Sequence, residues 1–453
     1  MMNFILYVCA FLAAFKGVQA GFDPKSHSNL AVYWGQNSFG KPEEEGGQKR
    51  LGFYCEHLPE VDVFMIAFVT SIMRSPGELP NVNFANAGNN CTQIPGTERM
   101  KCPQIAEDII KCQNLGKTIL ISLGGATYDE GGFPDPPTAR AAALILWQLF
   151  GPVNHSSHLV DYRPFLNAVI DGFDLDFENQ QMRNLVPFAS ELRRLFLTDP
   201  SKTYLLTVAP QCPYPDRANN ELLIGPVHID AVFVQFYNNY CGVNHFSPLA
   251  HEQPDFNFDT WELWAKTISN NSDVKVFMGV LGSKGAGNGF VPASFIGTII
   301  NYILEHGWTS FGGVMVWDVS QAFPNPRFIS EVRSSLPPRP PTPTTTTTST
   351  TTTTSTSTPP ATTTTSTPTP PATTTTSKES TITTTTTSTA SSTTWPVPGG
   401  PCPTDGVHAC AGNSFGVCNH GSWVVRACPP GLICIQAGPG VYCDRPGAAQ
   451  PVY

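Results

Sequence analysis

The chain has 453 residues, with 26 Lys and Arg against 35 Asp and Glu, and a formal net charge of −9. This acidic balance disfavours nucleic acid as a partner, because phosphate binding requires a basic surface. Charged residues make up only 13% of the chain, against about 25% in typical soluble domains. A long uncharged segment must therefore lower the average, and a chain of this length is expected to hold more than one domain.

The first twenty residues have the features of a secretory signal peptide. An apolar run from Phe4 to Phe15 is followed by the small-residue cleavage pattern Val18-Gln19-Ala20. The run is shorter than the roughly 20 apolar residues that span a bilayer, so a membrane anchor is the weaker interpretation. We predict a signal peptide over 1–20 and a secreted protein, extracellular or associated with a cell wall, without attachment to a membrane.

Residues 21–336 alternate short apolar strands with helical stretches. The predicted strands are Leu30–Trp34, Val63–Phe68, Thr118–Ser122, Gly172–Phe177, Tyr204–Ala209, Ala231–Tyr237, Lys275–Val280 and Gly312–Trp317, and the predicted helices are Ile105–Cys112, Ala139–Phe150, Leu185–Phe196 and Ser294–Glu305. Eight strands separated by helices in about 300 residues are typical of an α/β fold, the TIM (β/α)8 barrel. A doubly wound open sheet is the alternative, but no Gly-rich dinucleotide loop follows the first strand.

The segment 171–179 reads Asp-Gly-Phe-Asp-Leu-Asp-Phe-Glu-Asn and carries the strongest chemical signal. Because strand side chains alternate between faces, Asp174, Asp176 and Glu178 are predicted to point together into the barrel. Like charges at this spacing raise the pKa of at least one carboxyl group. Glu178 lies at the C-terminal end of its strand, where barrel active sites lie. A protonated carboxylic acid beside a groove is what cleavage of a glycosidic bond requires.

Two other interpretations of this segment are weaker. An exposed acidic strand would also expose the Phe and Leu side chains between the acids. A calcium loop of the EF-hand type needs Gly at its sixth position, whereas the sixth residue counted from Asp174 is Asn179. We therefore predict Glu178 as a catalytic acid with Asp176 behind it, Asp174 chiefly holding Asp176, and no metal or cofactor.

The segment resembles the DGxDxDxE signature of glycoside hydrolase family 18, and residues 25–335 resemble the plant-type (class III) fungal chitinases related to hevamine. The further matching motifs are Tyr33-Trp34-Gly35-Gln36-Asn37, Ser122-Leu123-Gly124-Gly125, Ala209-Pro210-Gln211-Cys212-Pro213, Val234-Gln235-Phe236-Tyr237-Asn238-Asn239 and Gly313-Val314-Met315-Val316-Trp317. The resemblance implies a retaining hydrolase that acts on chitin.

The resemblance also implies a role for each site residue. Glu178 would protonate the leaving oxygen, while the N-acetyl carbonyl of the substrate attacks the anomeric carbon. Asp176 would orient the acetamide group, and Tyr237 would donate a hydrogen bond to its carbonyl. Trp317 would form an apolar floor under the reacting sugar, with a core tryptophan as the alternative. The residues expected to line the substrate site are Gln235, Asn238, Trp317, Met315, Gly125, Tyr33 and Gln211.

Backbone and disulfide features follow from the same resemblance. The implied non-proline cis peptides are Ala67–Phe68 and Trp317–Asp318, and the implied disulfides are Cys55–Cys112, Cys91–Cys102 and Cys212–Cys241. Spacing alone permits fifteen pairings of these six cysteines. The connection between the seventh and eighth predicted strands is too short for the extra α+β domain of bacterial-type relatives. We therefore expect an open, shallow groove and endo-type cleavage.

Residues 337–398 consist mainly of Thr, Ser and Pro. Such a segment has too little apolar surface to offset the entropy of ordering, so it is predicted to stay unfolded. In a secreted protein this composition is typical of an O-glycosylated stalk. Asn90, Asn154 and Asn270 begin Asn-x-Ser/Thr acceptor sites for N-glycans, and Asn90 is the weakest because Cys91 occupies the middle position.

Residues 399–453 form a small unit that is predicted to use disulfides in place of a large core. Its six cysteines are Cys402, Cys410, Cys418, Cys428, Cys434 and Cys443. The run Cys410–Cys418, followed by Gly421-Ser422-Trp423, resembles family 19 carbohydrate-binding modules. Exposed aromatic rings stack on sugars, so Trp423, Phe415 and Tyr442 are candidate chitin contacts; the alternative for Trp423 is a place in the small core.

These observations together favour a secreted endochitinase that acts as a monomer on chitin polysaccharide. An endo-β-N-acetylglucosaminidase acting on glycoprotein glycans is the alternative enzyme, since it shares the acetamide chemistry. A chitin-binding lectin or an inhibitor on the same barrel is the alternative non-enzyme. Relatives of that kind typically lack the acid, whereas Glu178, Asp176 and Tyr237 are all present here.

Overall fold

The structure is a computed structural model that describes residues 21–338 except 251 and 254, and residues 396–397, 400–403, 408–419, 422–427, 433–437 and 440–444. The predicted signal peptide and nearly all of the predicted stalk lie outside these residues, so both remain predictions. Within the described ranges, no helix is both long and apolar enough to cross a membrane.

Eight parallel strands close into a barrel. They are β1 (Asn29–Trp34), β2 (Val63–Ser71), β3 (Thr118–Gly125), β4 (Gly172–Phe177), β5 (Leu205–Val208), β6 (Ala231–Gln235), β7 (Lys275–Leu281) and β8 (Phe311–Trp317). Each strand pairs with the next, and β1 pairs with both β2 and β8, which closes the sheet. The predicted TIM barrel is confirmed. A short strand, Asn81–Val82, adds an antiparallel pairing to β2.

Helices follow the strands on the outside of the barrel. They are α1 (Leu51–His57), α2 (Pro103–Asn114), α3 (Pro136–Phe150), α4 (Leu185–Phe196), α5 (Asn220–Leu223), α6 (Phe258–Thr267), α7 (Ala293–Glu305), α8 (Val319–Ala322) and α9 (Phe328–Ser335). The sequence at the start of α3 explains why the helix begins there. The side chain of Asp135 caps the helix by accepting a hydrogen bond from the backbone amide of Thr138 at 2.8 Å, and Pro136 lies in the first turn. The connection from β7 to β8 contains α7 alone among helices and strands.

The strands separate two apolar cores, one inside the barrel and one under the helices. Along β4, Phe173, Leu175 and Phe177 belong to the outer core. Side chains such as Tyr33 and Phe277 belong to the inner one. This is the two-sided burial expected of a barrel whose interior is packed with side chains. The alternation predicted for β4 is therefore confirmed for its apolar face.

At the N-terminal ends of the strands, three buried or nearly buried aspartates repeat one arrangement. Asp62, Asp171 and Asp230 directly precede β2, β4 and β6, and we call them the base aspartates. Each accepts a hydrogen bond from the backbone amide of a residue at or near the start of the preceding strand: Leu30 at 2.9 Å, Ile119 at 2.8 Å and Leu206 at 2.7 Å. Each also forms an ion pair, with Arg333, Lys202 and Arg193 respectively. These acids fasten the strands to one another.

The covalent and backbone predictions are confirmed. The structure contains the disulfides Cys55–Cys112, Cys91–Cys102 and Cys212–Cys241, and the cis peptides Ala67–Phe68 and Trp317–Asp318. It also contains a cis peptide that was not predicted, between Tyr214 and Pro215. That bond lies in the loop after β5, close to the end of the barrel where β4 delivers its acids.

The described part of the C-terminal unit contains five short strands. They are β9 (His408–Ala411), β10 (Ser414–Asn419), β11 (Ser422–Ala427), β12 (Ile433–Ala437) and β13 (Gly440–Asp444), paired antiparallel in sheets of three and two. Disulfides join Cys402 to Cys418 and Cys410 to Cys434. Cys428 and the side chain of Cys443 lie outside the described part.

The structure corrects the expectation that Trp423 is an exposed sugar contact. Its side chain is only 4% exposed and that of Phe415 only 5%. The Trp423 amide donates to the Gly400 carbonyl at 2.7 Å, and its ring lies so close to Gly416 that a Cβ there would be 3.0 Å from it. Trp423 is therefore a core residue of this unit, whose small size leaves few other large apolar side chains to form a core. The side chain of Tyr442 lies outside the described part.

Candidate active site

Asp174 anchors the polar interior of the barrel. It is fully buried, and it accepts hydrogen bonds of 2.7 Å each from the hydroxyl groups of Tyr33, Ser122 and Thr207. These donors come from β1, β3 and β5, which confirms that Asp174 points inward. Burial raises its pKa and the three hydroxyl donors lower it. Tyr33 is only 1% exposed, so it holds Asp174 and does not line the substrate site as expected.

Asp176 lies two residues further along the same inward face. It is 3% exposed, and the side-chain amide of Gln235 donates to it at 3.0 Å. Burial raises its pKa, and the charges of Glu178 and Asp174 raise it further. Gln235 also donates to the Ala209 carbonyl at 3.1 Å. Gln235 is itself buried. Its role is therefore to orient the Asp176 carboxyl group, and little of its side chain is open to a sugar.

Glu178 follows the last residue of β4 and is partly exposed. The side-chain amide of Gln211 lies 3.4 Å from its Oε2. Burial raises the pKa of Glu178, the charge of Asp216 raises it further, and hydrogen bonds from Gln211 and Gln235 lower it. The predicted acid is thus at the C-terminal mouth of the barrel, with its carboxyl group among polar side chains.

Tyr237, just after β6, brings a phenol to the same mouth. Its ring belongs to the inner core and is 4% exposed. Burial raises its pKa, followed by the charges of Asp176 and Glu178. The phenol therefore keeps its proton at neutral pH and is available as a hydrogen-bond donor beside both carboxyl groups.

An aromatic floor closes the barrel beneath these groups. Trp317 is partly exposed at the end of β8, with its ring centroid 5.3 Å from Tyr33 and 6.0 Å from Phe68. Met315, two residues earlier on the same face, has no exposed surface. The prediction that Met315 contacts the sugar is therefore wrong, because its side chain lies fully buried in the inner core. Gly125 has a φ of +83°, and a Cβ there would be 2.7 Å from the Phe68 ring, so only glycine fits against the floor.

Asn238 lies exposed just after β6, and its predicted contact with the sugar remains a prediction. Its side-chain oxygen accepts a hydrogen bond from the backbone amide of Asn288 at 2.7 Å. Its backbone amide donates a hydrogen bond to the backbone carbonyl of Asn288 at 2.8 Å. These bonds hold the glycine-rich loop 282–290 after β7 against the residues that follow β6. Asn238 is therefore a loop anchor at the rim, because its side-chain carbonyl is already bonded to the backbone.

Sequence reasoning missed Asp216. This carboxyl group, 5% exposed, lies in the loop after β5 and accepts backbone hydrogen bonds from Gln211 at 3.2 Å and Asn219 at 2.8 Å. Burial raises its pKa to about 6. The only signal in the sequence is a lone acid four residues after Cys212. A lone acid at such a place is as typical of an exposed turn as of a buried site.

Four carboxyl groups thus share this end of the barrel: Asp174, Asp176, Glu178 and Asp216, which we call the mouth acids. In the described residues, the ion pairs of the barrel involve other acids and none of these four. No ion pair among these residues therefore offsets the burial and mutual repulsion of the mouth acids. Such an arrangement keeps at least one carboxyl group protonated under mildly acidic conditions, which suits proton transfer to a leaving group.

Comparison with known proteins identifies the same region. The family model described as glycosyl hydrolases family 18 matches residues 29–288, and that of the family 19 carbohydrate binding domain matches residues 382–438. A protein named class III chitinase from Arthroderma benhamiae is 46% identical over 339 residues, which cover 74% of this chain and 94% of that protein. Endochitinase 33 from Trichoderma harzianum is 41% identical over 330 residues, 73% of this chain and 98% of that protein.

Among solved structures, the xylanase and α-amylase inhibitor protein XAIP-II from Scadoxus multiflorus is 25% identical, with a TM-score of 0.52. The match covers 68% of this chain and 98% of that one. A protein described as an inhibitor therefore shares the barrel. Because one fold hosts unrelated functions, the arrangement of the mouth acids has to carry the functional argument.

Proposed function

Because this chain belongs to family 18 of the glycosyl hydrolases, we propose that it is a secreted endochitinase. It hydrolyses β-1,4 linkages between N-acetylglucosamine units of chitin. The relatives named chitinase and endochitinase support this substrate, and so does the match to a carbohydrate binding domain. The endo-β-N-acetylglucosaminidase alternative receives no comparable support.

One observation carries the proposal: three of the mouth acids are buried beside the partly exposed Glu178, and none of the four forms an ion pair with a described residue. A carboxyl group next to a second anion and shielded from water holds its proton to higher pH than an exposed one. Burial and the charge of Asp216 both act on Glu178 in this direction. Glu178 is partly exposed at the barrel mouth, where a glycosidic oxygen can reach it. It is therefore the proton donor.

The reaction proceeds in two steps. In the first, the proton of Glu178 passes to the glycosidic oxygen as its bond to the anomeric carbon breaks, and the acetamide oxygen of the same sugar forms a bond to that carbon. In the second, water attacks the anomeric carbon, the bond between that carbon and the acetamide oxygen breaks, and the water gives one proton to the Glu178 carboxylate. Two displacements at one carbon leave the original β configuration in the product.

The neighbouring side chains hold the acetamide group in place. Asp176 accepts a hydrogen bond from the acetamide N–H and stabilises the positive charge that develops on the ring formed in the first step. Tyr237 donates its phenol proton to the acetamide oxygen. Trp317 supports the apolar face of the sugar, and Gln211 steadies Glu178 through the contact at 3.4 Å.

The surroundings of the mouth favour internal cleavage of a long chain. The β7–β8 connection contains α7 and no inserted domain, so nothing from that connection walls the groove. The C-terminal unit would hold the enzyme at an insoluble surface through the stalk over 337–398, raising its effective concentration there. An enzyme that releases only disaccharides from chain ends would contradict the endo mode.

The test compares two soluble oligomers of equal length, one of N-acetylglucosamine and one of glucosamine. The proposal predicts turnover of the acetylated oligomer alone, since only its acetamide oxygen can attack, and a β anomer as the first product in 1H NMR. Equal hydrolysis of both oligomers, or an α anomer as the first product, would overturn the mechanism. No hydrolysis of either by the folded, purified chain would overturn the activity itself.

A further inference from the structure

The loop after β5 brings a buried acid against the end of β4. Asp216 is only 5% exposed. Its Oδ2 accepts the Gln211 amide at 3.2 Å. Its Oδ1 accepts both the backbone amide of Asn219 at 2.8 Å and the side-chain amide of Asn219 at 2.9 Å. One carboxylate thus ties the two ends of this loop together.

Two connections lead from this carboxylate to Glu178. The first runs through Gln211, whose backbone is held by Asp216 and whose side-chain amide lies 3.4 Å from Glu178. The second runs through Asn219, whose side-chain amide also donates to the carbonyl of Phe177 at 2.9 Å. Phe177 directly precedes Glu178, so the loop holds both the side chain of Glu178 and the backbone that carries it.

The charges around Asp216 are of one sign on its buried side. Glu178 and Asp176 face it from the end of β4, and its charge raises the pKa of both. Tyr237 faces the same two carboxyl groups from the end of β6 and stays neutral. Arg217, the next residue in the chain, is exposed to solvent. Burial raises the pKa of Asp216 itself to about 6, so its charge develops near that pH.

We propose that Asp216 is a positioning residue for the proton donor: it fixes Gln211 and the end of β4 around Glu178 and places a second negative charge beside it. The proposal rests on the proposed function of Glu178 as the acid. Asp216 lies behind Glu178 and makes no contact with the sugar. Its effect is on the orientation of the donor and on the pH range in which the donor keeps its proton.

The first test is the pH dependence of kcat for Asp216→Asn, which removes the charge and keeps the shape. Loss of a neighbouring anion lowers the pKa of Glu178, so the alkaline limb of the profile moves to lower pH. On the alkaline limb of the wild type, kcat of the variant should fall about tenfold, because a pKa lowered by about one unit leaves a tenfold smaller fraction of Glu178 protonated there. An alkaline limb that stays in place would overturn the proposal.

A second measurement does not depend on turnover. The 13C resonance of the Glu178 carboxyl group, assigned by its loss in Glu178→Gln, is followed through a pH titration of wild type and Asp216→Asn. A lower pKa of Glu178 in the variant supports the proposal, and an equal or higher one overturns it. If wild type fails to hydrolyse chitin while the titration shifts, the proposed activity fails and the coupling of the two acids stands.

Asn219→Ala keeps the carboxylate and removes its connection to the Phe177 carbonyl, so it tests positioning even if Asp216→Asn folds poorly. We expect kcat about tenfold lower with KM within about twofold, because the donor is misplaced and not the sugar. Wild-type kcat in this variant would overturn the positioning role. Asp108→Asn is the control: it removes a buried carboxylate on α2 that pairs with Arg50, and it should leave the alkaline limb in place.

Discussion

The two ends of the barrel bury carboxyl groups in opposite ways. At the N-terminal end, each base aspartate accepts a strand amide and pairs with a Lys or Arg. At the other end, the mouth acids face one another, hydroxyl groups and amides, without an ion pair in the described residues. An acid that pairs with a Lys or Arg holds neighbouring strands together. Acids that face other acids without an ion pair have raised pKa values and can exchange protons.

Strand β4 shows this difference within a few residues. Asp171, at its start, pairs with Lys202 at 2.7 Å and accepts from Gln113 at 3.0 Å. Glu178, just after the end of β4, accepts hydrogen bonds from the side-chain amides of Gln211, at 3.4 Å, and Gln235. Position along the barrel axis therefore decides whether an acid of this segment stabilises the fold or performs chemistry. Substitutions at either end of the barrel test this difference.

The largest expected effect is at the mouth. Glu178→Gln removes the transferable proton and keeps the hydrogen-bonding shape, so kcat on an acetylated oligomer should fall by about 10²- to 10⁴-fold. Thermal unfolding should show that the variant folds at least as stably as wild type, because a carboxyl group next to the charge of Asp216 has been replaced by a neutral amide. A loss of less than tenfold would show that proton donation lies elsewhere.

The next effect is a pH dependence of stability. The pKa of Asp216 in the folded state, about 6, lies above its ordinary value, so its stabilising contribution is complete at low pH and is lost as pH rises through about 6. Between pH 4 and pH 8, wild type should therefore lose up to about 3 kcal/mol relative to Asp216→Asn. Urea unfolding of both proteins at the two pH values measures this difference. An equal pH dependence would show that Asp216 titrates normally.

A smaller effect is expected when one donor is lost from the mouth. Tyr237→Phe removes the phenol that holds the acetamide oxygen, and kcat should fall between about tenfold and 10²-fold. Tyr204→Phe is the matched control, since that hydroxyl donates to Asp199 at 2.6 Å, outside the mouth. Equal losses in the two variants would mean that the phenol at the mouth has no special role.

The smallest effect is expected at the base. Asp171→Asn breaks the pair with Lys202, whose side chain is 30% exposed, so the free energy of unfolding should fall by only about 1–2 kcal/mol. The kinetic constants should stay at their wild-type values. A large fall in kcat without a fall in stability would remove the distinction between the two ends of the barrel.

The sequence predicted β4 to the residue, because three acids alternating with three apolar side chains fit a barrel strand and little else. It also predicted the inward face of Asp174 and Asp176. It did not predict how deeply a side chain is buried: Tyr33 and Met315 lie on the predicted inward face, but both are buried in the inner core. Alternation determines the face of a side chain, and only tertiary packing determines its distance from the mouth.

Two further residues lay beyond sequence reasoning for different reasons. Asp216 gains its contacts from a loop that contains a cis proline bond at Tyr214–Pro215, and no local pattern indicates which acid such a loop buries. Trp423 can serve equally as a sugar platform or as a core residue in a module with so little apolar surface. The structure places it in the core.

The most direct test of the account is a crystal structure of Glu178→Gln with an N-acetylglucosamine oligomer bound. The account predicts one acetamide oxygen within hydrogen-bond distance of the Tyr237 hydroxyl, its N–H on Asp176, the sugar ring over Trp317 and the scissile oxygen facing residue 178. An oligomer bound away from the mouth acids, or with that acetamide turned away from Tyr237, would contradict it.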